Sequence, residues 1–358
     1  MLVAKRQNEL ICTLHYSKEE LRQMRRQAVF HCPCCDARVI LKAGVKTIAH
    51  FAHERSSCVE TFSERESMKH LQGKAQLYAF LQRFFQEVTL EPYLPTLQQR
   101  PDVLAANYAV EFQCSPLAAD KMLARTEGYK KAHYEPLWIP YARFCDKGWR
   151  IVSFSQMEQQ LFQWSGGLPF LMAYSPERHA FIYYSSIMQL SATKFYTHVE
   201  HVAADTQQFP FLQPQPITKE AFMKNCHVLM QYRNRALLHR LRFSEKGVQD
   251  DVLQRAYERY GSILSLPAHI GIFVPHAYSW PISPIDWQLY YVLWHEQAKE
   301  PHVNEAAFFA FCGIATATTA QKEALRTYAA IVDESSDVHN AALFSSMYDK
   351  IVAFHVQN

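Results

Sequence analysis

The chain has 358 residues, of which 49% are hydrophobic and 20% charged, with a formal net charge of +3. That length implies two or three domains with a sizeable core, and the composition is that of a folded, soluble chain. A charge this small does not by itself announce a nucleic-acid binder and decides nothing, and no run approaches the ~18 consecutive apolar residues of a membrane helix.

The start, "MLVAKRQNELICTLHYSKEEL", shows no apolar signal core followed by a cleavage site, so the expectation is a cytoplasmic protein without a membrane partner. Its first residues alternate and then run apolar, the pattern of a short hairpin. Ser17 with Glu20 forms a capping-box pattern that opens a helix over Lys18 to Gln27. The run from Arg22 to Arg26, with Phe30 nearby, has the residue types for phosphate contact and base stacking, or is an ordinary basic helix.

Nine cysteines, an odd number, suit reduced thiols and one metal site better than a disulfide frame. The segment from Phe30 to Cys58 is too short for a core of its own. It carries Cys32-x2-Cys35, fourteen residues, then His50-x2-His53. Two close pairs separated by a hairpin supply the four N and S ligands of tetrahedral Zn²⁺, so Cys32, Cys35, His50 and His53 are the expected structural zinc ligands. Cys34 and Cys58 remain alternative ligands, and the alternative for the whole segment is buried thiols beside surface imidazoles.

From Ser63 to about Phe85 the pattern is helical. Three apolar runs follow, "EVTLEPYL", "PDVLAA" and "YAVEFQCS", then a helix from Leu117 to His133 and the strand "EPLWIPY". Helix, three strands, helix, strand is the order of an α/β domain with a mixed sheet. Beyond Phe154, aromatic and β-branched residues predict a hairpin turning near Pro176 and Glu177, then a further strand, "ATKFYTHVEHV". Prolines 210, 214 and 216 mark a linker or domain edge, and the rest reads as helical over Lys219 to Phe243, Val248 to Tyr260 and Pro284 to Lys299. The Trp- and Tyr-rich stretch from Ser283 to Gln297 carries no assigned chemistry. The expected domains are 1–60, 61–155 and 156–358.

If "PDVLAA" and "YAVEFQC" pair with Ala106 and Asn107 at the turn, Asp102 lies opposite Glu111. Two carboxylates there repel unless something positive sits between them, and a divalent cation is the simplest such partner. Gln113 shares the face of Glu111. Upstream, Glu66, His70 and Lys74 recur every four residues and stack along one helix face, either as a solvated stripe or as an acidic helix face that meets the acidic sheet face at a metal.

"CPCC…HFAH", "ERESMKHLQGK", "RPDVLA", "VEFQCSPL", "RTEGY" and "PLWIP" occur in this order between Met1 and about Tyr141. Together they make the chain resemble the CoiA-like competence proteins. The resemblance implies a zinc-finger-like N-terminal module and a PD-(D/E)xK, restriction-endonuclease-like α/β core, followed here by a mainly helical C-terminal region. It implies a DNA nuclease promoting recombination of incoming DNA during transformation, acting on single-stranded or branched DNA, with recombination proteins as possible partners. The alternative is a DNA-binding accessory that keeps the fold without turnover. By the same resemblance Asp102, Glu111 and Glu66 hold Mg²⁺ or Mn²⁺, while Gln113 stands where the superfamily lysine usually stands. Lys74 would then supply the missing positive charge from the helix, and Gln113 would position the water. His70 is an acid/base, a phosphate contact or a packing residue. Arg125 and Tyr129, one turn apart, contact phosphate or brace the sheet.

Overall fold

The structure, a computed structural model, describes residues 1–45, 47–54, 66–298, 304–334 and 340–353. Strands β1 (Val3–Arg6) and β2 (Glu9–Cys12) form the expected N-terminal hairpin, and helix α1 (Lys18–Gln27) starts at Ser17 with both halves of the capping box in place. Strands β3 (Phe30–His31), β4 (Arg38–Lys42) and β5 (His50–His53) complete a sheet of order β2-β1-β3-β4-β5. A small core of Ala4, Ile11, Leu21, Phe30, Val39, Leu41 and Phe51 lies beneath α1.

Helix α2 (Met68–Leu81) opens the second unit, with strands β6 (Val88–Leu90), β7 (Val103–Ala105) and β8 (Tyr108–Gln113), helix α3 (Ala119–Lys131) and strand β9 (Glu135–Pro140). The sheet runs β6-β7-β8-β9, antiparallel except for the parallel β8–β9 pair that α3 connects. This is the helix, three strands, helix, strand order read from the sequence, in a mixed sheet. The β7–β8 register is the expected one, Val103 opposite Val110 and Ala105 opposite Tyr108, with Ala106 at φ +49° in the turn. Extended by one residue, it sets Asp102 opposite Glu111.

A third sheet follows: β10 (Gly148–Ser153), helix α4 (Gln156–Gln160), β11 (Gln163–Ser165), β12 (Leu168–Ser175), β13 (Ala180–Gln189) and β14 (Lys194–Ala203), in order β10-β14-β13-β12-β11. It joins the second unit where Ala142 N–H donates to the Tyr174 carbonyl at 2.8 Å. One core contains Leu71, Leu77 and Phe80 of α2, Val110 and Phe112 of β8, and Met172, Tyr174 and Phe181 of the third sheet. Helix α2 therefore has sheet neighbours on two sides. The proline-rich stretch read as a linker or domain edge is a packed strap: Phe209 and Phe211 pack among Phe80, Phe84, Phe85 and Tyr108.

The remainder is helical: α5 (Lys219–Phe243), α6 (Asp251–Tyr260), α7 (Pro284–Ala298), α8 (Glu305–Phe311), α9 (Thr319–Glu334) and α10 (Asn340–Tyr348). These helices share one aromatic-rich core in which Trp280 and Trp287 stack at 4.6 Å. The Trp- and Tyr-rich stretch of α7 is thus core. No described helix is long and apolar enough to cross a membrane.

A side chain at Gly73 would begin 2.0 Å from Phe112 Cε1, a contact no rotamer relieves. Gly73→Ala is therefore expected to destabilise the protein by about 2 kcal/mol through overpacking, despite alanine's better helix propensity, as read by denaturant unfolding. Asp250 caps α6 and pairs with Arg240 at 2.8 Å. Burial opposes its ionisation, but Arg240 and Ser244 hold its carboxyl down to about 2. A depressed acid stabilises the fold fully above the ordinary carboxylate range and loses that contribution as pH falls through its folded value. Asp250→Asn should therefore remove about 2 kcal/mol at neutral pH and little near pH 2, checked by unfolding across pH.

Candidate active site and metal centre

At the N-terminal module, the chain turns tightly after β3: Cys32 N–H donates to the Ala37 carbonyl at 2.8 Å and Asp36 N–H to the Cys32 carbonyl at 3.0 Å. This turn gathers Cys32 and Cys35 beside His53, with all three ligand atoms within 4.8 Å of one another and Cys35 Sγ 3.4 Å from His53 Nε2. Such a group can hold a metal ion. His50, expected as the fourth ligand, is not part of it. Residues three apart point to opposite faces of a strand, so on β5 only one histidine of the pair lies with the cysteines. His50 Nδ1 lies 3.0 Å from the Ile48 carbonyl instead. A hydrogen bond from Cys34 is the leading influence drawing the Cys32 thiol down to about 4, which places Cys34 beside the cluster. Cys58 lies outside the described residues.

In the second unit, Ser67 caps α2 by accepting from His70 N–H, and one helical turn separates His70 from Lys74. Asp102 follows Pro101, and its carboxylate continues the β7–β8 ladder by accepting from Phe112 N–H at 2.8 Å. The same oxygen, Oδ2, lies 3.1 Å from His70 Nε2, and Lys74 Nζ is 3.5 Å from Oδ1. Lys74 is 1% exposed and also pairs with Glu66 and Glu91. Burial alone would lower its pKa, but Glu66, Glu91 and Asp102 together raise it, so it is held as an ammonium. Burial likewise opposes ionisation of Asp102 and Glu66, yet His70 and Lys74 hold Asp102 down, and Lys74, the Met1 amine and His70 hold Glu66 well below the carboxylate range.

Glu66 departs from the expected arrangement. It precedes the Ser67 cap and so lies outside α2, with one oxygen on Lys74 and the other on the α-amino group of Met1. Glu91, which sequence reading passed over, takes a place in the ion-paired cluster. Its signal was present: a carboxylate ending the apolar run "EVTLE", the same oddity that singled out Asp102 and Glu111.

Glu111 faces the other helix. Alternation along β8 turns Phe112 toward Gly73 of α2, whereas Glu111 meets Arg125 and Tyr129 of α3, both on its Oε1. Arg125 and Tyr129 thus brace a sheet carboxylate. Burial pushes the Glu111 carboxyl up, Arg125 offsets part of this, and the nearby Asp102 charge raises it further, to about 7. Gln113 donates to the Ser115 carbonyl at 2.7 Å and lines a cleft of about 730 Å³ with Ser67, Lys69, Tyr141, Arg143 and Phe144.

Two family descriptions match the chain: "Competence protein CoiA, N-terminal domain" over residues 13–60 and "Competence protein CoiA, nuclease-like domain" over residues 66–216. The chain belongs to the CoiA family. It is 33% identical over 212 residues to "Competence protein CoiA" of Bacillus subtilis (strain 168), and the alignment covers 56% of each chain, so just over half of that relative's length is represented. No solved structure matches. The Cys/His cluster falls within the CoiA N-terminal match, while Glu66, Lys74, Asp102 and Glu111 fall within the nuclease-like match, which also takes in the third sheet.

The strand parity of β5 predicts which ligands matter. Metal analysis of purified protein should find one bound ion, lost in Cys35→Ser and His53→Ala but retained in His50→Ala.

Proposed function

We propose that this chain is a metal-dependent deoxyribonuclease of the PD-(D/E)xK type, acting on single-stranded or branched DNA during recombination of incoming DNA. The observation that carries this reading is the position of Lys74. The sequence replaces the usual strand lysine by Gln113, and helix α2 brings a fully buried ammonium to within 3.5 Å of Asp102.

Asp102 and Glu111 suit a hard dication, because Mg²⁺ commonly uses only one or two carboxylates together with waters and substrate phosphate. Glu111 takes its hydrogen bonds on Oε1 and Asp102 takes its own on Oδ2, with the Lys74 ammonium 3.5 Å from Asp102 Oδ1. Their mutual repulsion also favours a cation. Glu66 fits less well as a third ligand, since the Met1 amine and Lys74 occupy both of its oxygens. Bound Mg²⁺ or Mn²⁺ would supply Lewis acidity at the phosphate and a more acidic water. The chain's own residues then divide the remaining work. Asp102 and Glu111 would hold the ion, His70 fixes the Asp102 carboxylate, and Lys74 would offset the charge that develops on phosphate. Gln113 orients the water through its amide without adding charge.

In the N-terminal module, thiolate and imidazole donors suit Zn²⁺, with Cys34 or Cys58 as the fourth ligand and a structural role. None of the described cysteines is in a disulfide, in keeping with a reducing, cytoplasmic setting.

The hold of Arg125 on Glu111 favours a second reading, a DNA-binding accessory in which a chain cation takes over the neutralisation. One assay separates the two: single-stranded, duplex and branched DNA incubated with Mg²⁺ or Mn²⁺. Metal-dependent cleavage is expected, abolished in Asp102→Ala and Glu111→Ala and reduced about 10²-fold in Lys74→Ala. Binding without cleavage on every substrate would leave the accessory reading.

A further inference from the structure

Glu91 is an unusual residue in its own backbone. It follows β6 with φ +50°, a left-handed conformation that crowds any side chain and persists only where the surroundings enforce it. Its N–H donates to the Asp102 carbonyl at 3.0 Å, which fixes it to the strand carrying the candidate metal ligand. Its carboxylate is buried and divides its oxygens between two parts of the molecule. Oε1 accepts from Lys74. Oε2 accepts from the backbone N–H groups of Leu2 at 2.8 Å and Val3 at 3.1 Å.

Those two donors belong to the N-terminal module. The strand that carries them is tied in turn to β5, where Phe51 N–H donates to the Met1 carbonyl at 2.8 Å, two residues before the metal-cluster histidine. A continuous run of hydrogen bonds and ion pairs therefore leads from the Cys/His cluster through β5, β1 and Glu91 to Lys74 and Asp102. A buried carboxylate is costly unless its oxygens are satisfied, and here the satisfaction of one oxygen comes entirely from outside the nuclease-like unit.

We infer that Glu91 is a positioning residue that fixes Lys74 on Asp102, and that the N-terminal module completes the nuclease-like site by supplying the backbone donors that hold Glu91. The inference rests on the reading of Lys74 as the cation of that site.

Amine acylation followed by peptide mass mapping tests it without reference to cleavage. Lys74 should be protected in the parent protein and acylated at least about tenfold faster in Glu91→Gln, whose amide oxygen still accepts from Leu2 and Val3 but no longer attracts the ammonium. Glu91→Ala, which removes both partnerships, should in addition raise amide hydrogen exchange in the peptide spanning residues 1–6, while Glu91→Gln leaves that peptide protected. If Glu91→Ala loses its cooperative melt, Glu91→Asp takes its place, with the shorter carboxylate giving partial exposure of both partners. Equal protection of Lys74 in the parent and Glu91→Gln would overturn the positioning role, and unchanged exchange in residues 1–6 in Glu91→Ala would overturn the contribution of the module. In the same preparations kcat of DNA cleavage should fall with KM unchanged. A parent protein that cleaves nothing while Lys74 labelling follows the expected pattern would sink the hydrolytic reading and leave the positioning intact.

Discussion

A fully buried ammonium organises this protein. Removing Lys74 from water costs several kcal/mol, a cost offset only when carboxylates and good geometry surround it. Glu66, Glu91 and Asp102 supply that surround, each from a different segment of the chain: the lead-in to α2, the end of β6 and the start of β7. Three parts of the backbone must therefore converge for one side chain to be tolerable. The neighbouring residue sets how closely they do so, because only a glycine at position 73 lets α2 approach Phe112 at this distance.

The two sheet carboxylates are served by opposite helices. Asp102 is turned toward α2, where His70 and Lys74 meet it, and Glu111 toward α3, where Arg125 and Tyr129 do. Each of the two like charges across the β7–β8 pair is thereby met by polar partners from its own helix. Their repulsion is not removed. Glu111 keeps a raised pKa despite an arginine beside it, since burial and Asp102 outweigh that single partner.

The element order, the β7–β8 register and the capping box were legible because each depends on local rules: period, turn position and a four-residue cap. The Lys74–Asp102 meeting was foreshadowed by the family resemblance, which marks Gln113 as standing where a lysine is usual and so points to Lys74 on the helix. What escaped depended on knowing an element's type or on distant backbone. His50 was paired with His53 as if spacing alone decided their direction, yet in a strand a three-residue interval separates faces that a helix would align. Glu66 matched the helical repeat but sits before the cap, so its place comes from the Met1 amine and Lys74 rather than from α2. Glu91 was hidden because its partners, Leu2 and Val3, lie nearly ninety residues away in sequence. The strap at Phe209 and Phe211 read as a linker or domain edge because its prolines are visible in sequence and its packing is not.

The double commitment of α2 also decides where this protein can be divided. One flank of the helix rests on the nuclease-like sheet and the other on Tyr174 and Phe181, with the Phe209 to Phe211 strap closing the end near Phe80. Cutting the chain after β9 would end the sheet neatly while stripping apolar cover from the helix that carries Lys74. The smallest fragment that keeps that helix enclosed runs on to the strap, close to residue 216, where the nuclease-like family match also stops.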